Sequence, residues 1–199
     1  DMSATSNVST MSAMSTSTLV LARPRTRGVL VAGVVGFAVA LALAAQVAVP
    51  IPGTPVPLTL QPLLVVLAGL CLGPRAAAAS VALYLAAGAA GMPVFAPGGA
   101  PGMLRLLGPT GGYLLAMPFA AWTAGRLAGD AARFTSRVGA ASAGMLVIYA
   151  GGLLQLAVLT GGLARAAVLG VLPFVAVDLV KAVVAAAIAP TRAAPRASA

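Results

Sequence analysis

Residues 165–188, RAAVLGVLPFVAVDLVKAVVAAAI, constrain this chain more than any other stretch. The run is apolar over the length of about 20 residues that a helix needs to cross a bilayer. Yet it carries Asp178 and Lys181 near its middle. Three positions apart on a helix, the two share a face, with the acid N-terminal to the base. Each ionisable group at a bilayer centre costs roughly 2.5–3.5 kcal/mol on insertion scales, so such groups turn toward a bundle interior and find polar partners there. Two readings follow. The pair either neutralises itself and does nothing more, or forms the polar floor of a substrate pocket.

Composition supports the membrane setting. Of 199 residues, 60% are hydrophobic and only 8% charged, against about 25% charged in a soluble domain; the mean hydropathy is +1.04. A chain of this length accommodates about six spans with short connections and no separate soluble domain. The expected fold is an all-α integral membrane bundle of six transmembrane helices over 28–190, with 1–27 disordered and 191–199 a tail.

The net charge of +9 raises the question of nucleic acid. The arginines form no patch with interleaved aromatics, however, and instead mark the ends of apolar segments, so no nucleic-acid partner is expected. The sequence holds neither His nor Glu, which removes the usual general bases and common metal ligands. It also lacks a GxxxxGK[ST] phosphate loop. Neither enzymatic activity nor a metal or cofactor is expected. The lone Cys71 lies in an apolar run and reads as packing.

Along the chain, the Ser-, Thr- and Met-rich start reads as disordered, with Asp1 ahead of Met2 an added residue. The apolar patch at 19–22 is too short for a signal-peptide core, and arginines follow it rather than precede it. The first span, 29–47, has small residues at Gly36, Ala40, Ala44 and Ala48, with Ala38 and Ala42 beside them; this spacing admits close helix approach. VPIPGTPVP follows, with four prolines in nine residues, and is expected to be extended and stiff. Spans two (58–72, opening with Thr59 and Gln61) and three (76–90) are short and meet at the tight turn Gly73-Pro74-Arg75.

Residues 91–112, GMPVFAPGGAPGMLRLLGPTGG, are Gly or Pro at 11 of 22 positions, yet hold Val94, Phe95, Met103, Leu104, Leu106 and Leu107. A long apolar loop of this kind reads as a lid over a binding site. Spans four (113–127), five (138–159, with Tyr149 and Gln155 inside) and six (165–188) complete the bundle, and Pro173 is expected to kink the last about one turn before Asp178. With both termini inside, nine arginines fall on inner segments and two, Arg105 and Arg165, on outer ones. This satisfies the positive-inside rule and puts the proline-rich and glycine-rich loops on the outer face.

The ordered series VPIPGTPVPLTLQPL, LGPRAAAASVALYLAAGAAGMPVF, GPTGGYLLAMP and GVLPFVAVDLVKA resembles the BioY family, the biotin-specific substrate-binding (S) components of energy-coupling-factor (ECF) transporters. The resemblance covers about 46–187. It implies a six-helix S-component bundle in the bacterial inner membrane, biotin as ligand, and a transmembrane coupling (T) subunit, ABC-type ATPases and membrane lipid as partners. It also implies that Asp178, Lys181 and Tyr113 contact the vitamin. An asparagine that some members carry ahead of GPTGGY has no counterpart in MLRLLGPTGGY, leaving Arg105 or a backbone group for that contact. The helix-one motif that docks the T subunit falls near Ala38 and Ala42.

Biotin offers two ureido N–H donors, a carbonyl, an apolar bicycle and a carboxylate. Asp178 can accept from the ureido group and Lys181 can donate, with Gln61 a further polar candidate and Phe95, Leu107 and Val94 as apolar walls. The alternative reading is a small channel or proton-linked carrier built on the Asp178/Lys181 pair.

Overall fold

The computed structural model describes residues 27–129 and 133–190. The expected disordered start, the tail from 191 and Asp130 in the connection after span four lie outside them. Eight helices follow in order: α1 Arg27–Gln46, α2 Gln61–Leu72, α3 Pro74–Ala89, α4 Leu104–Leu107, α5 Gly111–Ala128, α6 Phe134–Thr160, α7 Leu163–Gly170 and α8 Val175–Ile188. Two short strands, β1 Ala48–Val49 and β2 Leu58–Thr59, lie between α1 and α2.

By length and composition, α1 and α6 can cross a bilayer, and α7 with α8 forms a third candidate bent by 57° at its break. The apolar α2 is shorter than a full crossing. Large apolar side chains stand exposed on α1, α5, α6 and α8 alike, among them Val35, Phe119, Val158 and Val180. A surface this apolar on several sides suits lipid rather than water.

The interior is built from small and β-branched residues. α5 packs along α6 and also receives α2 and α3, while α8 packs on α6 and α2, and α1 on α3. Val65, Val66, Val81 and Leu156 are fully buried, with runs of alanine between them. Where α5 meets α6 the contact is backbone on backbone: a Cβ on Gly151 would lie 2.7 Å from the Gly112 carbonyl oxygen. The α2–α3 turn fits the sequence reading, with Gly73 at φ 85° and Pro74 in the first turn of α3, where its missing N–H costs nothing.

Two segments differ from expectation. VPIPGTPVP is not simply extended. Its flanks pair antiparallel, Ala48 with Thr59 and Val49 with Leu58, so the prolines form the tip of a small hairpin. All four lie outside the ladder, to which they cannot donate. Residues 58–59 are thereby used in a strand, and α2 starts only at Gln61. The glycine-rich segment also contains one helical turn, α4, where a structureless loop was expected.

Gly151→Val should lower the thermal unfolding midpoint of the purified protein, since overpacking a filled interior costs about 1–3 kcal/mol. Gly139→Ala, whose Cβ meets nothing within 4 Å, should leave the midpoint unchanged or raise it.

Candidate functional site

The site begins at the break in the last span. In an unbroken helix the Leu169 carbonyl would accept the N–H of residue 173, but Pro173 has none. The Thr54 hydroxyl, from the proline-rich hairpin, donates to Leu169 O at 2.6 Å instead. The next carbonyl, Gly170 O, loses its partner as well, because the Phe174 N–H turns back to Val171 O at 3.0 Å. The Tyr113 hydroxyl supplies the missing donor at 2.8 Å. Tyr113 reaches it by lying against Gly152 and Gly170, where any Cβ would collide with its ring or hydroxyl.

The helix restarts as α8, and Asp178 falls in its first turn. An acid there is favoured by the positive end of the helix dipole. Lys181 Nζ meets Asp178 Oδ1 at 2.6 Å, and both side chains are buried. The Tyr149 hydroxyl, from α6, donates to the other carboxylate oxygen, Oδ2, at 2.6 Å. Asp178 is thus held by its own helix and by a neighbouring one.

These groups line a cavity of about 70 Å³ together with Gln61, Tyr113, Arg105, Thr110, Ile148 and Phe174. A second cavity of about 540 Å³ lies between the two loops and shares Pro57, Arg105 and Thr110 with the first. Pockets for small molecules ordinarily run to roughly 300–1,000 Å³, so the inner cavity alone is smaller than such a pocket and the outer one falls within that range.

Of the residues expected at the site, Asp178, Lys181, Tyr113, Gln61 and Arg105 converge on the inner cavity. Their hydrogen bonds qualify the roles. Gln61 is buried with its amide donating to Tyr84 Oη at 2.7 Å. The Arg105 guanidinium is buried, donates to the Ala96 carbonyl, and has no acid in ion-pair range among the described residues.

Phe95 and Leu107 are not among the lining residues. Phe95 stands edge-on to Tyr84, with ring centroids 5.6 Å apart, and covers Gly88. Leu107 is 69% exposed, because the single turn of α4 directs Arg105 inward and Leu104 and Leu107 outward. Val94 is half-buried against the core and also lies outside the cavity wall.

Ala38 is buried in the chain's own core and Ala42 packs on that core, so neither presents the open face expected for docking. The small residues of α1 that do face outward are Gly28, Ala32 and Gly36, and a Cβ on Gly28 or Gly36 would meet nothing within 4 Å.

Besides Thr54, polar residues that escaped assignment in the sequence include Tyr149, Gln155 and Gln46. Tyr149 was visible only as an aromatic inside a span. Gln155 donates through Nε2 to Leu106 O at 2.9 Å and Gly108 O at 2.8 Å, which fixes the glycine-rich loop to α6. Gln46 donates to Phe95 O at 3.3 Å from the end of α1. The available signal was the presence of amides in apolar helices, where each needs partners.

Comparison with known proteins now decides the family. The family model for BioY matches residues 11–197. The chain belongs to the BioY family. It is 45% identical over 153 residues to the "Probable biotin transporter BioY" of Pyrococcus horikoshii, covering 77% of this chain and 89% of that one. The "Biotin transporter BioY" of Thermotoga maritima is 42% identical over 141 residues, covering 70% and 82% respectively. The fold is that of a crystallised S-component for biotin from an ECF-type ABC transporter, with a TM-score of 0.74 at 24% identity over 80% of this chain and 88% of that chain.

The two loops of this BioY-family chain are held unequally. Thr54→Val keeps the side-chain shape but removes the donor to Leu169. It should raise hydrogen exchange across 50–57 while leaving 91–112, fixed by Gln46 and Gln155, as protected as in the parent. Equal loosening of both loops would show that they move as one unit.

Proposed function

We propose that this chain binds biotin and serves as the substrate-specific subunit of an ECF-type transporter. The observation that carries the reading is the polarity of the paired cavities. At the inner end the Asp178 carboxylate is set beside the Lys181 amine, among apolar walls. At the boundary between the cavities stands Arg105, a buried cation without an acid of its own among the described residues. A ligand with N–H donors at one end and a carboxylate at the other satisfies both ends at once. Biotin has that form: Asp178 accepts from its ureido N–H groups, Lys181 donates to its carbonyl, and Arg105 pairs with the valerate carboxylate. Tyr113 contributes its ring to the wall, and its hydroxyl remains with Gly170.

The same reading extends to topology and partners. The chain makes six spans in a bacterial inner membrane, with both termini cytoplasmic and both loops facing out. The membrane partner is the T subunit, and ABC-type ATPases drive the cycle. The docking stripe is Gly28, Ala32 and Gly36 on α1, all exposed, a small-residue spacing of four that lets another helix approach closely. Gly36→Trp should abolish co-purification with a T subunit and leave biotin affinity intact. The reverse pattern would remove this face from consideration.

The ligand assignment is tested by retention of labelled biotin on the purified chain without partner or energy source. Loss of a hydrogen bond to a charged group costs about 1.5–3 kcal/mol, or roughly 10- to 150-fold in affinity. Asp178→Asn and Lys181→Met should each reach that range. A merely structural ion pair predicts recovery in the double variant, since no charge is then left unpaired. If both groups touch biotin, the double variant binds no better than the worse single one. Near-parental affinity in a folded double variant excludes the pair from the ligand site.

A further inference from the structure

We propose that Tyr149 is a positioning and specificity-determining residue of the ligand site, one that sets the orientation in which Asp178 meets the ligand. The proposal rests on the reading that Asp178 accepts from N–H groups of the ligand's ring.

The geometry begins with the carboxylate. It has two oxygens and about four lone-pair sites. Lys181 takes one site on Oδ1 and Tyr149 one on Oδ2, each at 2.6 Å. The two donors do different things. Lys181 lies three residues along the same helix, so its bond ties the carboxylate to α8 but not to any other helix. Tyr149 belongs to the neighbouring helix α6 and itself lines the inner cavity, so its bond fixes the carboxylate plane relative to α6. With both bonds made, rotation of the carboxylate is blocked, and one acceptor position remains on each oxygen.

The other polar groups around the cavity do not duplicate this role. The Tyr113 hydroxyl, on α5, donates to Gly170 O. Gln61, on α2, donates to Tyr84. Arg105, on α4, donates to Ala96 O. Among the described residues Tyr149 is therefore the donor that reaches Asp178 from outside α8. A fixed acceptor needs no ordering when the ligand arrives, which favours binding of a donor placed to match it. A purely structural account, in which Tyr149 uses Asp178 only to satisfy its own hydroxyl, predicts no ligand selectivity.

The test compares biotin with an analogue methylated on one ureido nitrogen, using the purified full chain and its Tyr149→Phe and Asp178→Asn variants. Tyr149→Phe should weaken biotin roughly 10-fold and the methylated analogue much less, so that discrimination between them shrinks. Equal losses for both ligands, or no loss for either, overturn the proposal. Asp178→Asn separates the two levels: unchanged biotin affinity in that variant refutes Asp178 as a ligand acceptor, whereas a loss there beside an unaffected Tyr149→Phe refutes only the role of Tyr149. Incorporating p-aminophenylalanine at position 149 keeps a weaker donor in place and covers the case of an unstable phenylalanine variant. It should give discrimination between those of the parent and the phenylalanine variant, and parental discrimination would count against the proposal.

Discussion

Proline 173 has no N–H to give, and the organisation of the loop-bearing end follows from that. Inside a bilayer an unsatisfied backbone carbonyl costs several kcal/mol, so a helix can break there only if other donors come to it. Thr54 and Tyr113 are those donors, one from the hairpin and one from the start of α5. The break is therefore a junction where two distant parts of the chain are required. It also creates a helix start inside the bundle, and Asp178 occupies its first turn.

The ion pair below the break does not explain itself by stability. Removing two charges from water costs several kcal/mol per ion, and a buried pair at best roughly recovers that cost. An apolar pair of similar volume would hold α8 against α6 as well. What the charged pair offers is an acceptor and a donor fixed at one end of a mostly apolar cavity. Tyr149 gives the acceptor a second tether and is consistent with a site arranged before the ligand enters.

The features legible in the sequence were those fixed by local chemistry. Asp178 and Lys181 announced themselves by their cost in an apolar run, Pro173 by its missing donor, and Gly73-Pro74 by its turn geometry. The features that were not legible depend on which way a short segment faces. One helical turn in the glycine-rich loop sends Arg105 into the cavity and Leu107 out of it, and no periodicity is measurable over four residues. Phe95 looked like a ligand wall because it is aromatic and near the site, but Gly88 makes a socket for its ring on another face. On α1, alanines occur on every side, so spacing alone could not distinguish the inward Ala38 from the outward Gly36. Gln155 and Gln46 could be seen as amides needing partners, but the partners are loop carbonyls brought close only by the fold.

Those amides also set the two loops apart. The glycine-rich segment is fixed by Gln46 and Gln155, by the Phe95 ring against Tyr84 and Gly88, and by Arg105 folded back onto Ala96. The proline-rich tip is held by a two-residue ladder, the Thr54 hydroxyl, and Val56 and Ile51 packed on the core. A typical hydrogen bond contributes about 0.5–1.5 kcal/mol net, and the tip has fewer side-chain hydrogen bonds to release than the glycine-rich segment. Release is not free of consequence, however. Lifting Thr54 leaves the Leu169 carbonyl without its donor at the very break that positions Asp178. The carbonyl must then find water or the helix end must shift. The hairpin beside the cavity is thereby coupled, through a single hydroxyl, to the broken span whose second half carries the cavity's floor.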